Sequence, residues 1–443
     1  MIVMLLEPSS PFSKIIQQTL ERIIRNQELE RIIRNWTNQK LERSKIIRFQ
    51  RNRESVASNS VPAKPLKTFQ NGGLFISLFQ ASQDHLRPQV RVLMAITKTT
   101  GYSCQFDNGA TVPGKLYQFN ENHGKQLKVY YLNCLPPKDV LLENIENITI
   151  IHDSVPILKK VIVPILKKAI VPISYKIQDE QNMTNFKQTF AICVPFLFGD
   201  KYTGKHLVEF IEMNRLLGVE QISIYADDSM NADVKRVMNG YAKEGLLEVI
   251  PFSLPFNDSN IWSYGQLLTI TDCILRHTGR TEFVALHDLD EYAIPKSLNP
   301  NDPPPNRLTL LPQLFSNKQI ATLRLNVHYF MPDEKGLPIT INSQQRIDYA
   351  DNQATKCVVR PHYIYAQGIH STFGPIQKPY STGYGDEKQM ILFHYKEKEL
   401  AMERIEGRIG KTRASKMAED KYFMNHFSNF SQIFTEKCNQ FAL

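Results

Sequence analysis

The chain has 443 residues, 42% of them hydrophobic and 22% charged. That is long for one domain, fits two or three, and excludes global disorder. The formal net charge of +9 is unevenly placed: residues 1–70 hold 13 Lys and Arg against 6 Asp and Glu, and residues 71–443 hold 40 against 38. The body is thus nearly neutral. With no zinc-finger or RNA-recognition signature and no recurring basic-aromatic patch, no nucleic-acid partner is expected.

Residues 1–70 carry a tandem repeat, "LERIIRN" at Leu20 to Asn26 and again at Leu29 to Asn35. Its near-helical spacing reads as an isolated amphipathic helix or coiled-coil stub, with a membrane-surface helix as the other use of such a pattern. Residues 51–70 are rich in Ser, Pro and Lys and read as a linker. The start, "MIVMLLEPSS", lacks the basic segment of a signal peptide. The apolar runs, such as "GGLFISLF" near Phe75, fall short of the ~18 residues that a membrane span needs.

Residues 71–185 read as a small β-rich region, with strands at "RVLMAIT" from Arg91, "KLYQF" from Lys115 and "LKVYYLNC" from Leu127. Pro156, Pro164 and Pro172 recur every eight residues in "VPILKKVIVPILKKAIVPI". That spacing forbids a continuous helix and suggests a duplicated strand edge or loop.

From residue 186 to 443 the pattern changes. "FAICVPFLF", "QISIYADD", "LLEVIPF" and "EFVALHDLDE" have strand composition. Between them lie helical stretches at His206 to Gly218, Ala232 to Gly245 and Tyr264 to Gly279, each stopped by glycine. Strands alternating with helices imply an α/β fold on a parallel sheet, and the continuous apolar strands imply that both faces are covered.

The six cysteines form no CxxC pair, which argues against a zinc site of that type. The count fits three disulfides or six buried thiols. Asn35, Asn147, Asn182, Asn257 and Asn429 each begin an N-x-S/T sequon, a weak pointer to a secretory route.

Ligands of open α/β sheets bind beyond the carboxyl ends of the strands. Asp227 and Asp228 end the second strand of this region, and Asp288 and Asp290 end the fourth, in "FVALHDLDEY". In an extended segment, residues two apart face the same side, so Asp288 and Asp290 converge on one cation. Hard carboxylate oxygens suit Mg²⁺ or Mn²⁺, which typically bridge carboxylates to a diphosphate. Two other readings exist. One is a solvated acidic turn capped by Tyr292. The other is a haloacid-dehalogenase-type phosphatase, which has Thr or Val where Tyr292 stands and carries its motif on the first strand.

From about Phe190 to Lys396 the chain resembles glycosyltransferase family 92. The resemblance rests on "FAICVPFLFG", "HLVEFIEMNRLLGVEQISIYADDS", "VMNGYAKEGLLEVIPFSLP", "QLLTITDCILRHTGRTEFVALHDLDEYAIP", "KCVVRPHYIYAQGIHSTFG" and "MILFHYK", in that order. The family's Asp-x-Asp-Glu-aromatic motif falls on Asp288, Asp290, Glu291 and Tyr292. The resemblance implies a GT-A (Rossmann-like) nucleotide-sugar-binding domain and an inverting, metal-assisted transferase. A UDP-sugar, commonly UDP-galactose, would be the donor, a glycan the acceptor, and Mn²⁺ or Mg²⁺ the ion. It also implies an N-terminal membrane anchor and a Golgi location. The basic repeat stands in the anchor's place, as in a truncated gene model or a divergent copy. A catalytically inactive relative that binds glycans or proteins is the alternative.

On that resemblance Asp288 stands near the ribose and metal, and Asp290 ligates the metal. Glu291 orients these two or lies in the acceptor site. Asp228 reaches the uridine or caps the helix near Ala232. His370 and His394 are candidates for a third ligand or a diphosphate contact. Asp386 and Glu387, in the Gly-rich "TGYGDEK" loop, are the candidates for the base an inverting reaction needs.

Overall fold

A computed structural model of the chain describes residues 67–71, 74–84, 89–97, 101–138, 140–141, 144–154, 165–175, 186–254, 260–296 and 306–443. The LERIIRN repeats, the first VPILKK segment and the sequons at Asn35, Asn182 and Asn257 lie outside those residues.

The first sheet comprises β1 (Lys67–Asn71), β2 (Leu74–Asp84), β3 (Gln89–Ile96), β4 (Tyr102–Phe106), β5 (Thr111–Pro113), β6 (Lys115–Gln118), β7 (Lys128–Cys134), β8 (Asn147–Ser154) and β9 (Ile165–Tyr175). Its path runs β5-β4-β8-β9-β2-β3-β7-β6, with β1 on β2. From Ile165 onward the second VPILKK segment belongs to β9, with Pro172 inside the strand and paired across to Asn147. Period-2 alternation sorts β3 between two cores. Val92, Met94 and Ile96 join Tyr130, Leu132, Ile148 and Ile150. Leu93 and Ala95 instead join Val129 and Tyr131 in a second core.

That second core continues into the next sheet. It takes in Ala191, Cys193, Leu268, Ile274 and Val284, so the β-rich region and the α/β region bury apolar surface together. The α/β region alternates β10 (Gln188–Leu197), α1 (Gly204–Leu216), β11 (Gln221–Ala226), α2 (Ala232–Lys243), β12 (Leu247–Pro251), α3 (Gln266–His277) and β13 (Thr281–Leu286). β12-β11-β10-β13 are mutually parallel. Further along the chain come β14 (Glu291–Pro295), β15 (Ile320–Phe330), β16 (Gln345–Val359), β17 (Ile364–Gln367), β18 (Thr372–Pro375), β19 (Ser381–Tyr384) and β20 (Met390–Tyr395). α4 (Lys398–Ile409) follows β20. The sheet extends from β13 through β16-β15-β20-β14.

Both faces of the parallel strands are covered, as their unbroken apolar composition requires. Phe190, Ile192 and Val194 of β10 pack with Leu207, Phe210 and Val237 of α1 and α2. Ala191 and Cys193 face α3 and the first sheet. The glycine stops hold: Gly218, Gly245 and Gly279 follow the three helices at φ +89°, +77° and +74°. At Gly218 a side chain is also barred by packing, because a Cβ would stand 2.0 Å from Asn306 Oδ1.

The cysteines follow neither expectation. Cys104 bonds Cys134 and Cys193 bonds Cys273, whereas Cys357 and Cys438 are free and buried. Ligand atoms of Cys193, Cys273 and His277 lie within 4.8 Å of one another. Both sulfurs are consumed by the disulfide, so this cluster holds no metal.

Candidate active site

The fourth parallel strand is shorter than its apolar run suggests. β13 stops at Leu286, and residues 287–290 form a turn that enters β14 at Glu291. The Glu291 N–H donates to Asp288 O at 3.2 Å, and the Asp288 N–H donates to Glu291 Oε2 at 2.8 Å. Asp288 and Asp290 therefore converge from a turn, not from the alternation of an extended strand. Both open into a cavity of about 490 Å³ at the carboxyl rim.

Neighbouring strands fix the turn. Cys357 of β16 pairs with Leu286, which brings Lys356 beside residue 287. Lys356 is buried, with Nζ 2.9 Å from Asp288 Oδ2 and 3.0 Å from Glu291 Oε2. His394 of β20 pairs with Glu291 of β14. His394 Nδ1 lies 3.1 Å from Glu291 Oε1, and Nε2 lies 3.8 Å from Asp290 Oδ1. Tyr202 and Lys201, in the loop after β10, each donate to Asp290 Oδ2 at 3.3 Å. Gln266, at the start of α3, donates to Asp288 Oδ1 at 3.1 Å.

The electrostatics follow from burial and these contacts. Burial alone would raise the Asp288 carboxyl, but the Lys356 ammonium outweighs it and holds the group at about 2. Glu291 is more enclosed. Burial pushes it to about 7, with Lys356 opposing and the two aspartates adding to the rise. Burial takes both His394 and His370 down to about 4, so both rings are neutral at pH 7. Asp288 and Asp290 offer hard oxygens and His394 a neutral imidazole, a donor set that fits Mn²⁺ well and Mg²⁺ less well.

Five of the expected site residues line this cavity: Asp288, Asp290, Glu291, His370 and His394. Three do not. Asp228 is exposed beyond β11, and its carbonyl accepts from Lys235 Nζ at 2.7 Å. Nor does it cap α2, whose N-cap is Asn231. Asp386 and Glu387 precede β20, whose first residue pairs with Pro295 while His394 pairs with Glu291. They thus lie beyond the end of the strand remote from His394. There Asp386 Oδ1 accepts from Lys388 N, and Glu387 Oε1 accepts from Asn326 Nδ2 at 2.7 Å.

Several lining residues gave little sequence signal. Lys201 and Tyr202 were findable, because "GDKYTG" is the first strand-to-helix loop and such loops form the ligand rim. Lys356 lies near the end of β16, a strand of mixed polar and apolar composition, with nothing to mark it. Lys396 and Arg404 add further positive charge to the lining. Trp262 to Gly265 form a tight turn in which Ser263 and Tyr264 take φ of +46° and +53°. Two non-glycine residues in that region signal a backbone held by its surroundings.

An order of 3-2-1-4 parallel strands, with an acidic turn leaving the fourth into a basic-walled cleft, defines a glycosyltransferase of the GT-A type. The chain belongs to glycosyltransferase family 92, whose sequence profile matches residues 188–439. It is 33% identical over 320 residues to the beta-1,4-galactosyltransferase galt-1 of Caenorhabditis elegans, covering 71% of each chain. Among solved structures, glucosyl-3-phosphoglycerate synthase from Mycobacterium tuberculosis, in complex with Mn²⁺, UDP and phosphoglyceric acid, is 11% identical. It covers 53% of this chain and 81% of its own at a TM-score of 0.26. A mycobacterial protein is 12% identical, covering 55% and 68% at 0.25. Likenesses that slight carry no argument here.

Proposed function

We propose that the protein transfers a hexose, galactose first among candidates, from a UDP-sugar to a glycan acceptor with inversion at the anomeric carbon. The observation that carries this reading is the convergence of Asp288 and Asp290 in one cavity, with Lys356, Lys396 and Arg404 around them. The 33% identity to a galactosyltransferase favours galactose.

Asp288, Asp290 and His394 would hold a divalent cation, Mn²⁺ by preference, and that ion supplies charge neutralisation for the departing diphosphate. Lys356 keeps Asp288 ionised and locks it against Glu291. Tyr202 and Lys201 orient Asp290, and Gln266 orients Asp288. Lys396 and Arg404 supply fixed positive charge where the leaving group's negative charge grows.

The two buried disulfides support a route through an oxidising compartment, and with the family they favour the Golgi lumen. Among the described residues, no helix is long and apolar enough to cross a membrane.

The test is incubation of the full chain with UDP-galactose, Mn²⁺ and a panel of galactose-, glucosamine- and fucose-terminated glycans. A β-linked product, read from its anomeric proton coupling, is the expected result. An α-linked product, or no transfer to any acceptor, defeats the reading.

A further inference from the structure

One carboxylate in the cavity does not belong to the acidic turn. Glu121 comes from the connection between β6 and β7 of the first sheet. We propose that Glu121 is the general base that takes the proton of the attacking acceptor hydroxyl. The assignment rests on the glycosyl-transfer reading above.

Its loop is seated firmly on the α/β region. The Leu127 N–H donates to Asn260 O at 2.9 Å. The His123 ring lies against Trp262, with centroids 3.9 Å apart. Within the loop, Asn122 Oδ1 accepts from Val129 N at 3.0 Å. At its tip, Glu121 Oε2 accepts from Ile369 N at 2.6 Å. The approach needs glycine next door: a Cβ on Gly368 would stand 2.6 Å from Glu121 Oε2 and 2.4 Å from Phe373 Cζ. The same turn is tied to the acidic motif. His370 Nδ1 lies 3.0 Å from Thr355 O, and Thr355 Oγ1 donates to His370 O at 2.7 Å, one residue before Lys356.

The other groups in the cavity suit the role less well. Asp288 and Asp290 are held by cationic partners, and Glu291 is buried between Lys356 and His394. His370 is neutral but pushed down to about 4 by burial and by Lys356, which makes it a weak proton acceptor. Burial raises Glu121, with the Ile369 N–H, His123 and Lys356 pulling it back. A base works best when its pKa lies near the operating pH. Among the described residues no donor meets Glu121 Oε1, which leaves that oxygen for the acceptor.

The bookkeeping of the step is simple. The acceptor oxygen forms a bond to the anomeric carbon, and its proton passes to Glu121 Oε1. The bond from the anomeric carbon to the diphosphate breaks, and its electron pair stays on the leaving oxygen. Water then takes the proton from Glu121.

Glu121→Gln in the full chain tests this, because glutamine keeps an oxygen for the Ile369 N–H. Transfer kcat should fall roughly a hundred- to ten-thousandfold. The acid limb of the kcat/KM pH profile should vanish. UDP affinity in Mn²⁺ and the thermal melt should stay at wild-type values, and Glu121→Asp should recover part of the rate. Wild-type transfer with an unimpaired Glu121→Gln enzyme overturns the assignment alone. So does a rate loss matched by lost UDP affinity or lost stability, or an acid limb that disappears in His370→Asn instead. Absence of transfer by the wild-type chain defeats the underlying reading and the assignment with it.

Discussion

Lys356 Nζ lies 2.9 Å from Asp288 Oδ2 and is itself buried, so a permanent protein cation neutralises the first aspartate of the acidic turn. The same ammonium is 3.0 Å from the buried Glu291. Lys356→Met strands Glu291 without its cation. Breaking a buried pair by removing one partner costs about 3–5 kcal/mol. Burial already pushes Glu291 to about 7 and it takes up a proton when its cation is lost, so urea unfolding at pH 7 should show a loss toward the lower end of that range. Lys356→Met with Glu291→Leu should recover part of it, because the enclosed carboxyl is then gone and only the partly exposed Asp288 lacks its cation. A single mutant as stable as wild type would show that the charge cluster contributes nothing to the fold.

His277 is fully buried beside the Cys193–Cys273 disulfide, between Ser223 and Thr281, and burial lowers its imidazole to about 3. An unfolded histidine titrates near 6.5. Between those values the unfolded chain binds the extra proton, so His277 makes stability fall as pH falls from about 6.5 toward 3. The slope from this one group approaches ~1.4 kcal/mol per pH unit. The urea midpoint of His277→Gln should therefore decline less steeply below pH 6.5 than that of the wild type. Parallel curves for the two proteins would remove His277 from the acid response.

Much of the catalytic half was legible because its signals are local. Apolar runs, helical periodicity and glycine stops at Gly218, Gly245 and Gly279 are properties of short windows, and they placed three helices and four strands. The acidic turn was legible by composition, although its geometry was not: nothing in "FVALHDLDEY" says that the strand ends at Leu286. What failed was long-range. Lys356 reaches Asp288 only because β16 folds back along β13, and Glu121 reaches the cavity from a region read as separate. Asp386 and Glu387 looked suitable in a Gly-rich loop, but strand register carries them past the end of β20. The cysteine count could not foretell that two of six stay free, because pairing depends on which strands and helices meet.

His394 adds an imidazole to a donor set otherwise made of carboxylates. Imidazole is a serviceable ligand for Mn²⁺ and a poor one for Mg²⁺. The wild type should therefore work better in Mn²⁺, and His394→Asn should narrow that preference. Because His394 Nδ1 also meets Glu291 Oε1, the variant should melt a few degrees lower as well. Activity across a Mn²⁺ and Mg²⁺ series, paired with a thermal melt, checks both. Equal losses in the two metals would make His394 a phosphate contact, and lost stability with the preference unchanged would make it structural.

Asp290 carries the central claim. It is partly exposed, and its protein partners Lys201 and Tyr202 lie on a surface loop, so Asp290→Asn should fold normally. Calorimetric titration of the full chain with UDP, with and without Mn²⁺, is the direct measurement. The wild type should bind UDP much more tightly when Mn²⁺ is present. Asp290→Asn, with an unchanged melt, should lose that metal-dependent gain. A folded Asp290→Asn protein that still binds UDP in Mn²⁺ with wild-type affinity would contradict the account.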